Sequence, residues 1–254
     1  MTGLRLPDFI IAGAPRCGTT WLCALVDRHP AMEMAKPLVP EPKFFLRDDL
    51  FSQGLAYYAE TWFAGIPTDR IAGEKSANYL ESPIVARRIR DTLPGVRLIF
   101  TLRNPIDRAF SNYLWSRQNG LEAASFAEAL DLEQARERYI PDHLRYARPH
   151  ALVSRGLYAD LLRPYFDLFP PEDILVLRYE DILAAPTDLA GRLHRFLGVA
   201  HRPADAENLP RLNAGAYADK ETIDPALRVR LAVRYAEPNQ HLARLLGPGF
   251  KIWD

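Results

Sequence analysis

The run Gly13-Ala14-Pro15-Arg16-Cys17-Gly18-Thr19-Thr20-Trp21-Leu22 constrains this chain more than any other stretch. It follows a short apolar segment over 9–12 and leads into a helical pattern over 20–28. Such an order predicts a buried strand, a glycine-bounded turn and a helix start. A turn of that kind presents backbone N–H groups and the positive end of a helix dipole to an anion. Read without a ligand, it is a tight turn with a threonine cap.

The rest of the chain supplies a frame for that turn. Apolar runs over 96–102 and 174–177, with weaker ones at 71–73 and 31–35, read as interior parallel strands. Helical patterns cover 83–92, 105–117, 158–169 and 189–197. Ser125 and Glu128 form a capping-box pattern opening a helix to about Arg138, and Asp224-Pro225 reads as an N-cap with proline at N1. The alternation predicts a doubly wound, mostly parallel sheet flanked by helices, in a single domain over 1–254. The irregular stretches 36–55, 139–153 and 201–222 are expected to be lids or acceptor-binding loops.

Composition excludes more than it assigns. Of 254 residues 48% are hydrophobic and 25% charged, which rules out a disordered or fibrous chain. Thirty-two cations balance 32 carboxylates, so no global field draws the protein to nucleic acid or a membrane, and an anion site must be local. Only Lys36, Lys43, Lys75, Lys220 and Lys251 are lysines among those cations, a bias that makes each surviving lysine worth inspecting for chemistry. Cys17 and Cys23 are too few for a disulfide framework, and the histidines form no i, i+4 ligand pair. The first residues hold a basic Arg5 and a small Ala12-Gly13-Ala14, but Pro7 and Asp8 break any signal-like segment. No apolar run approaches the ~18 residues of a membrane span. A cytoplasmic location is the expectation.

Two segments carry the chemistry. Gly13 and Gly18 have the spacing of a Walker A loop, yet Thr19 stands where a nucleotide kinase needs lysine, and the cation is Arg16 within the loop. No acidic residue clearly ends the later strands to hold Mg²⁺. A 5′-phosphate-like group fits this loop better than a triphosphate. In Leu102-Arg103-Asn104-Pro105 the arginine ends a strand, and Ser111 follows nearly two turns into a helix. Arginine with a nearby hydroxyl suits a dianionic phosphate. Alone, the segment is ambiguous, since an arginine after a strand is more often a surface salt-bridge partner.

Together the two segments resemble the halves of the cofactor site in the sulfotransferases that use PAPS (3′-phosphoadenosine 5′-phosphosulfate). Glu41-Pro42-Lys43-Phe44-Phe45 and Gly73-Glu74-Lys75-Ser76 are similar to motifs of the branch that includes heparan sulfate sulfotransferases. Arg155-Gly156-Leu157-Tyr158, Leu177-Arg178-Tyr179-Glu180-Asp181 and 196–198 resemble later blocks in the same order. The resemblance implies a P-loop-NTPase-like fold. It also implies sulfuryl transfer from PAPS, with PAP (adenosine 3′,5′-bisphosphate) as product and no metal, to a hydroxyl or amine of a small molecule or carbohydrate. Arg16, Cys17, Gly18, Thr19, Thr20 and Trp21 would hold the 5′-phosphosulfate, and Arg103 and Ser111 the 3′-phosphate. Lys220 would come from a loop closing over that phosphate.

The resemblance makes Glu41 the base, with Phe44 and Phe45 expected to desolvate it and raise its pKa. Arg16 stands where the family carries a loop lysine, so it is expected to stabilise charge without donating a proton. Lys75 would share the sulfuryl or bridging oxygen. Read without the family, Glu41 pairs with Lys43, and Lys75 with Glu74, on a solvated surface. Cys17 is expected to contribute its N–H, its thiol being oxidation-sensitive if exposed. Trp21 is expected to pack the loop helix. Phe44, Phe45, Tyr57, Tyr58, Tyr139 and Tyr146 are candidates for acceptor contact, set against an ordinary role in the core. The alternatives are a P-loop kinase and a non-catalytic PAP-binding relative.

Overall fold

The computed structural model describes residues 3–207, 209–210 and 222–253. Five strands, β1 (Phe9–Gly13), β2 (Met32–Met34), β3 (Ile71–Lys75), β4 (Arg97–Leu102) and β5 (Ile174–Arg178), make one sheet in the order β2-β3-β1-β4-β5. Every pairing is parallel. The helices are α1 (Thr19–Arg28), α2 (Asp48–Phe51), α3 (Gly54–Trp62), α4 (Pro83–Thr92) and α5 (Pro105–Gln118). They continue with α6 (Phe126–Arg138), α7 (Tyr158–Leu168), α8 (Tyr179–Ala184), α9 (Pro186–Leu197) and α10 (Pro225–Leu246).

Each expected strand is present, with bounds shifted by one or two residues. β3 runs past Gly73 through Glu74 to Lys75, because ladder bonds use backbone and tolerate a polar side chain that finds partners inside. Helices α2 and α3 replace part of the stretch read as irregular over 36–55 and extend beyond it. α9 starts at Pro186, three residues before the apolar pattern begins, since proline suits a first helical turn.

The chain divides into two compact units. The first, Met1–Leu102 with Pro164–Leu212, holds the sheet. Phe9 and Ile11 of β1, Ile99 of β4 and Leu177 of β5 join Trp21, Leu22, Leu25 and Val26 of α1 and Leu189 and Leu193 of α9 in one buried cluster. Alternate strand residues point to the opposite face. There Phe100 meets Tyr165 of α7 edge-on, ring centroids 5.0 Å apart. Helices therefore flank both faces. The second unit, Arg103–Arg163 with Asn213–Asp254, is built on α5, α6 and α10. Ile106, Ala109, Tyr113, Phe126, Leu130, Leu231 and Tyr235 form its core. Glu133, buried in α6, accepts from the backbone N–H groups of Val153 and Ser154 and so holds that turn. The predicted capping box at Ser125 and Glu128 is formed.

Strand β1 is central, with β3 on one side and β4 on the other. Its outgoing connection leads toward β2 and β3, while β4 and β5 are laid down on its far side. A parallel α/β sheet binds ligands outside the carboxyl ends of its strands where the winding reverses, so this end of β1 is the place to look. Among the described residues no helix is long and apolar enough to cross a membrane, and Cys17 and Cys23 form no disulfide.

Candidate active site

The loop after β1 is fixed from three sides. The N–H of Ala14 donates to Thr101 O of β4 at 2.9 Å, and Cys17 N–H turns back to Ala14 O at 3.2 Å. Gly13 is pressed against the turn after β3: a Cβ there would lie 2.7 Å from Leu80 Cβ. Gly18 has φ +83°, and a Cβ on it would lie 2.6 Å from Ile182 Cδ1. Arg16 also has positive φ, 68°, which a non-glycine residue adopts only when its surroundings impose it. Left-handed residues on both sides of Cys17 curl the backbone in the manner of an anion-binding nest. Helix α1 starts at Thr19 with no side-chain capping bond, so the threonine-capped turn is not formed.

Several sequence expectations change here. The Cys17 thiol is buried and lies 3.6 Å from Pro15 O, so it is not the exposed group considered above. Its N–H serves the turn. Trp21 is buried in the core cluster, and its N–H donates to Gly18 O at 3.0 Å; its side chain packs the loop helix as expected. Thr19 is buried and Thr20 half-buried. Burial pushes the Cys23 thiol of α1 up to about 12, which makes it an inert packing group.

Glu41 and Lys75, far apart in sequence, meet. Lys75 Nζ lies 2.9 Å from Glu41 Oε1, with side-chain exposures of 7% and 18%, so the pair is largely withdrawn from solvent. The N–H of Ala77 donates to Glu41 Oε2 at 3.3 Å. Both surface pairings read from sequence are thereby replaced. Lys75 could not have met Glu74, because neighbours on a strand point to opposite faces.

Glu74 instead enters a buried polar cluster that sequence reasoning missed. Ser76 Oγ donates to Glu74 Oε1 at 2.6 Å, and the Tyr58 hydroxyl donates to Oε2. The Tyr79 hydroxyl also acts on this carboxyl, lowering its pKa. Burial dominates and pushes Glu74 up to about 7, against the lowering effect of these three partners. It also raises the hydroxyls of Tyr58 and Tyr79 well above their ordinary value, so both remain donors. Ser76 Oγ accepts from Lys43 N–H at 2.8 Å, and Tyr79 Oη from Phe45 N–H at 3.1 Å. Phe44 stacks on Tyr58 with centroids 4.4 Å apart, and Phe45 packs edge-on to Tyr79. These four aromatics are fully buried, so Phe44, Phe45 and Tyr58 belong to the core and cannot line an acceptor pocket. The raised carboxyl in this region is Glu74. Strand alternation from Lys75 was the available signal for it.

The second unit carries the other segment. Arg103 directly follows β4, and its carbonyl accepts from the Tyr158 hydroxyl at 2.9 Å. Asn104 caps α5 by accepting from Ile106 N–H, and Ser111 is half-buried on that helix. Tyr139 is exposed. Lys220 lies outside the described residues. The fold also gathers polar groups that the sequence keeps apart: ligand atoms of His29, His194 and Asp205 lie within 4.8 Å of one another, all three residues buried. The His29 ring is already engaged, Nε2 against Ala200 O at 3.0 Å and Nδ1 accepting from Ala31 N–H at 3.2 Å. That leaves His29 no spare nitrogen for a metal ion.

The arrangement has what transfer of a group between oxygens or nitrogens requires: a cradle for an anion, a carboxylate, and a buried ammonium beside it. Comparison with known proteins points the same way. The profile of the sulfotransferase domain matches residues 6–213. The mouse bifunctional heparan sulfate N-deacetylase/N-sulfotransferase 3 is 30% identical over 205 residues, covering 77% of this chain but 23% of that protein. The chain thus spans less than a quarter of that relative. The membrane-associated sulfotransferase kil1 of Dictyostelium discoideum is 22% identical, with 98% of this chain and 67% of that protein covered. A sulfotransferase crystal structure from Alicyclobacillus acidocaldarius superposes with TM-score 0.77 at 28% identity, over 95% of this chain and 96% of that one.

Proposed function

This chain belongs to the sulfotransferase domain family, and we propose that it moves a sulfuryl group from PAPS to an amine or hydroxyl of a carbohydrate or small molecule. The observation that carries the proposal is the buried Glu41–Lys75 contact at 2.9 Å, beside the loop that follows β1. Transfer breaks the bond from sulfur to the bridging phosphate oxygen and forms one from sulfur to the acceptor atom, whose proton must leave. Glu41 takes that proton in this reading. Lys75 Nζ holds its carboxylate in place at 2.9 Å, and a positioned base of this sort is worth roughly 10²–10⁴ in rate. The positive end of α1 and Arg16 hold the donor's negative charge, with Arg16 contributing charge alone since guanidinium does not give up a proton. Arg103 and Ser111 are the proposed 3′-phosphate contacts, in the order of the chain rather than by a measured distance. A cytoplasmic site of action belongs to the same proposal.

Family relatives named for N-sulfotransferase activity on heparan sulfate make an amino sugar the first acceptor to try. The test is transfer of ³⁵S from PAPS to N-unsubstituted heparosan oligosaccharides and, in parallel, to a simple phenol. Label in either acceptor with wild type, lost in Glu41→Gln, supports the reading. Equal labelling with Glu41→Gln overturns the assignment of the base. A thermal shift with ATP–Mg²⁺ and none with PAP would favour a kinase.

A further inference from the structure

The loop bearing Glu41 has to be held against β3 for the Glu41–Lys75 contact to exist, and the cluster beneath it does the holding. Ser76 and Tyr79 each have one hydroxyl proton. Ser76 donates its proton to Glu74 Oε1 at 2.6 Å, and the two hydroxyl oxygens accept from Lys43 N–H at 2.8 Å and Phe45 N–H at 3.1 Å. Those two N–H groups lie in the segment that follows Glu41. A carboxylate is the one side-chain group that only accepts, so it fixes the sense of every bond in the chain of donors. Tyr58 of α3 supplies a further donor, and its own proton is secured by burial.

We propose that Glu74 is a positioning residue for the Glu41–Lys75 pair: by taking the hydroxyl proton of Ser76, it turns that oxygen toward the loop that carries Glu41. Its significance for turnover rests on the reading that Glu41 is the base; its geometry does not. Glu74 never reaches the reacting atoms. The groups facing it are Tyr58 from α3, Ser76 from the end of β3, Tyr79 from the following turn and Glu41 from the loop, with Lys75 next to it in the strand. The tyrosines stay protonated over the working range, so the carboxyl itself is the member of the cluster whose proton changes near neutrality. When it is protonated, one of the hydroxyls loses its acceptor and the loop loses one of two anchors.

The experiment compares crystal structures and kinetics of Glu74→Gln and Ser76→Ala with wild type, and uses Ser76→Thr as the conservative rescue. Glu74→Gln puts a donor where only an acceptor fits, and Ser76→Ala removes one relay hydroxyl without touching the carboxyl, so either informs if the other fails to fold. Expected is a Glu41 Oε1–Lys75 Nζ separation that opens from 2.9 Å to beyond a hydrogen bond in both variants and is restored in Ser76→Thr. With ³⁵S-PAPS and the acceptor labelled by wild type, kcat falls tenfold or more while PAP affinity holds within threefold. The rise of kcat through neutral pH in wild type disappears in Glu74→Gln. A pair that stays closed in both variants overturns the proposal even if wild type transfers sulfate. A pair that opens in an otherwise inactive protein leaves it standing and instead removes the assigned function.

Discussion

At the scale of single residues, Lys75 and Glu41 are bound to each other by electrostatics as well as by proposed chemistry. Removing one partner strands the other's charge in a poorly solvated place, whereas removing both does not. Lys75→Met should lower unfolding free energy by about 3 kcal/mol, and Lys75→Met with Glu41→Gln should recover most of that. Urea unfolding of the two singles and the double checks this, and additive losses would show that the contact is not formed in solution. Arg16 poses a different question. Its positive φ is imposed by the loop, so its value lies in the guanidinium. Arg16→Lys keeps the charge and adds a group able to release a proton, so transfer should persist or rise. Abolished turnover with unchanged PAP affinity would mean that the planar guanidinium is itself needed. The sequence singled out all three residues. The surface pairings offered as alternatives, Glu41 with Lys43 and Lys75 with Glu74, gave way to Glu41 with Lys75, because residue types say nothing about which face of a strand or loop a side chain leaves from.

At the scale of elements, the loop between β1 and α1 works because two glycines allow close approach. Gly18→Ala would place a methyl 2.6 Å from Ile182 Cδ1 and 2.9 Å from Tyr179 Cδ2 at φ +83°. Strain and overpacking together should cost about 1–3 kcal/mol. PAP affinity should also weaken, because relief by movement of α8 would distort the helix start. Calorimetry and PAP titration measure both, and a variant as stable as wild type with full affinity would contradict the packing. The loop was legible as a motif, since glycine spacing after an apolar run leaves few conformations open. Helices α2 and α3 were not, because their short amphipathic patterns lie among prolines and charges that read as loop. β3 was underestimated for a related reason: Glu74 and Lys75 break the apolar pattern, but the sheet asks only for their backbone.

At the scale of the whole molecule, two buried groups pull stability in opposite directions with pH. Glu74 is pushed from 4.5 up to about 7 by burial, so between these values the folded protein keeps a proton that the unfolded chain has released. Its contribution is lost as pH rises through that window. His194 is pushed from 6.5 down to about 4 by burial and by the nearby His29, so there the unfolded chain binds a proton that the folded state refuses. Its contribution is lost as pH falls. Wild type should therefore show a shallow dependence between pH 5 and 7, the two slopes partly cancelling. Relative to wild type, Glu74→Gln should gain on the order of 3 kcal/mol from pH 5 to 8, and His194→Asn should gain as pH drops toward 5. Differences from wild type that do not vary with pH would refute both assignments. Ligand linkage is measured on the same scale: PAP at a hundred times its Kd should add about 2.7 kcal/mol to stability, while ATP–Mg²⁺ should add almost none.

By itself the sequence determined the alternation of strands and helices and the glycine-bounded turn after β1, because these depend on hydrophobic period and on glycine, both local properties; the family was legible from the resemblance of its motifs. Tertiary structure decided which charges meet. Glu41 finds Lys75 instead of Lys43, Glu74 finds the Ser76 and Tyr58 hydroxyls instead of Lys75, and Phe44, Phe45 and Tyr58 go to the core. The Glu41–Lys75 contact and the bonds from Lys43 and Phe45 to Ser76 and Tyr79 join segments more than thirty residues apart, strand alternation sends Glu74 and Lys75 to opposite faces, and distance along a chain does not encode distance in space.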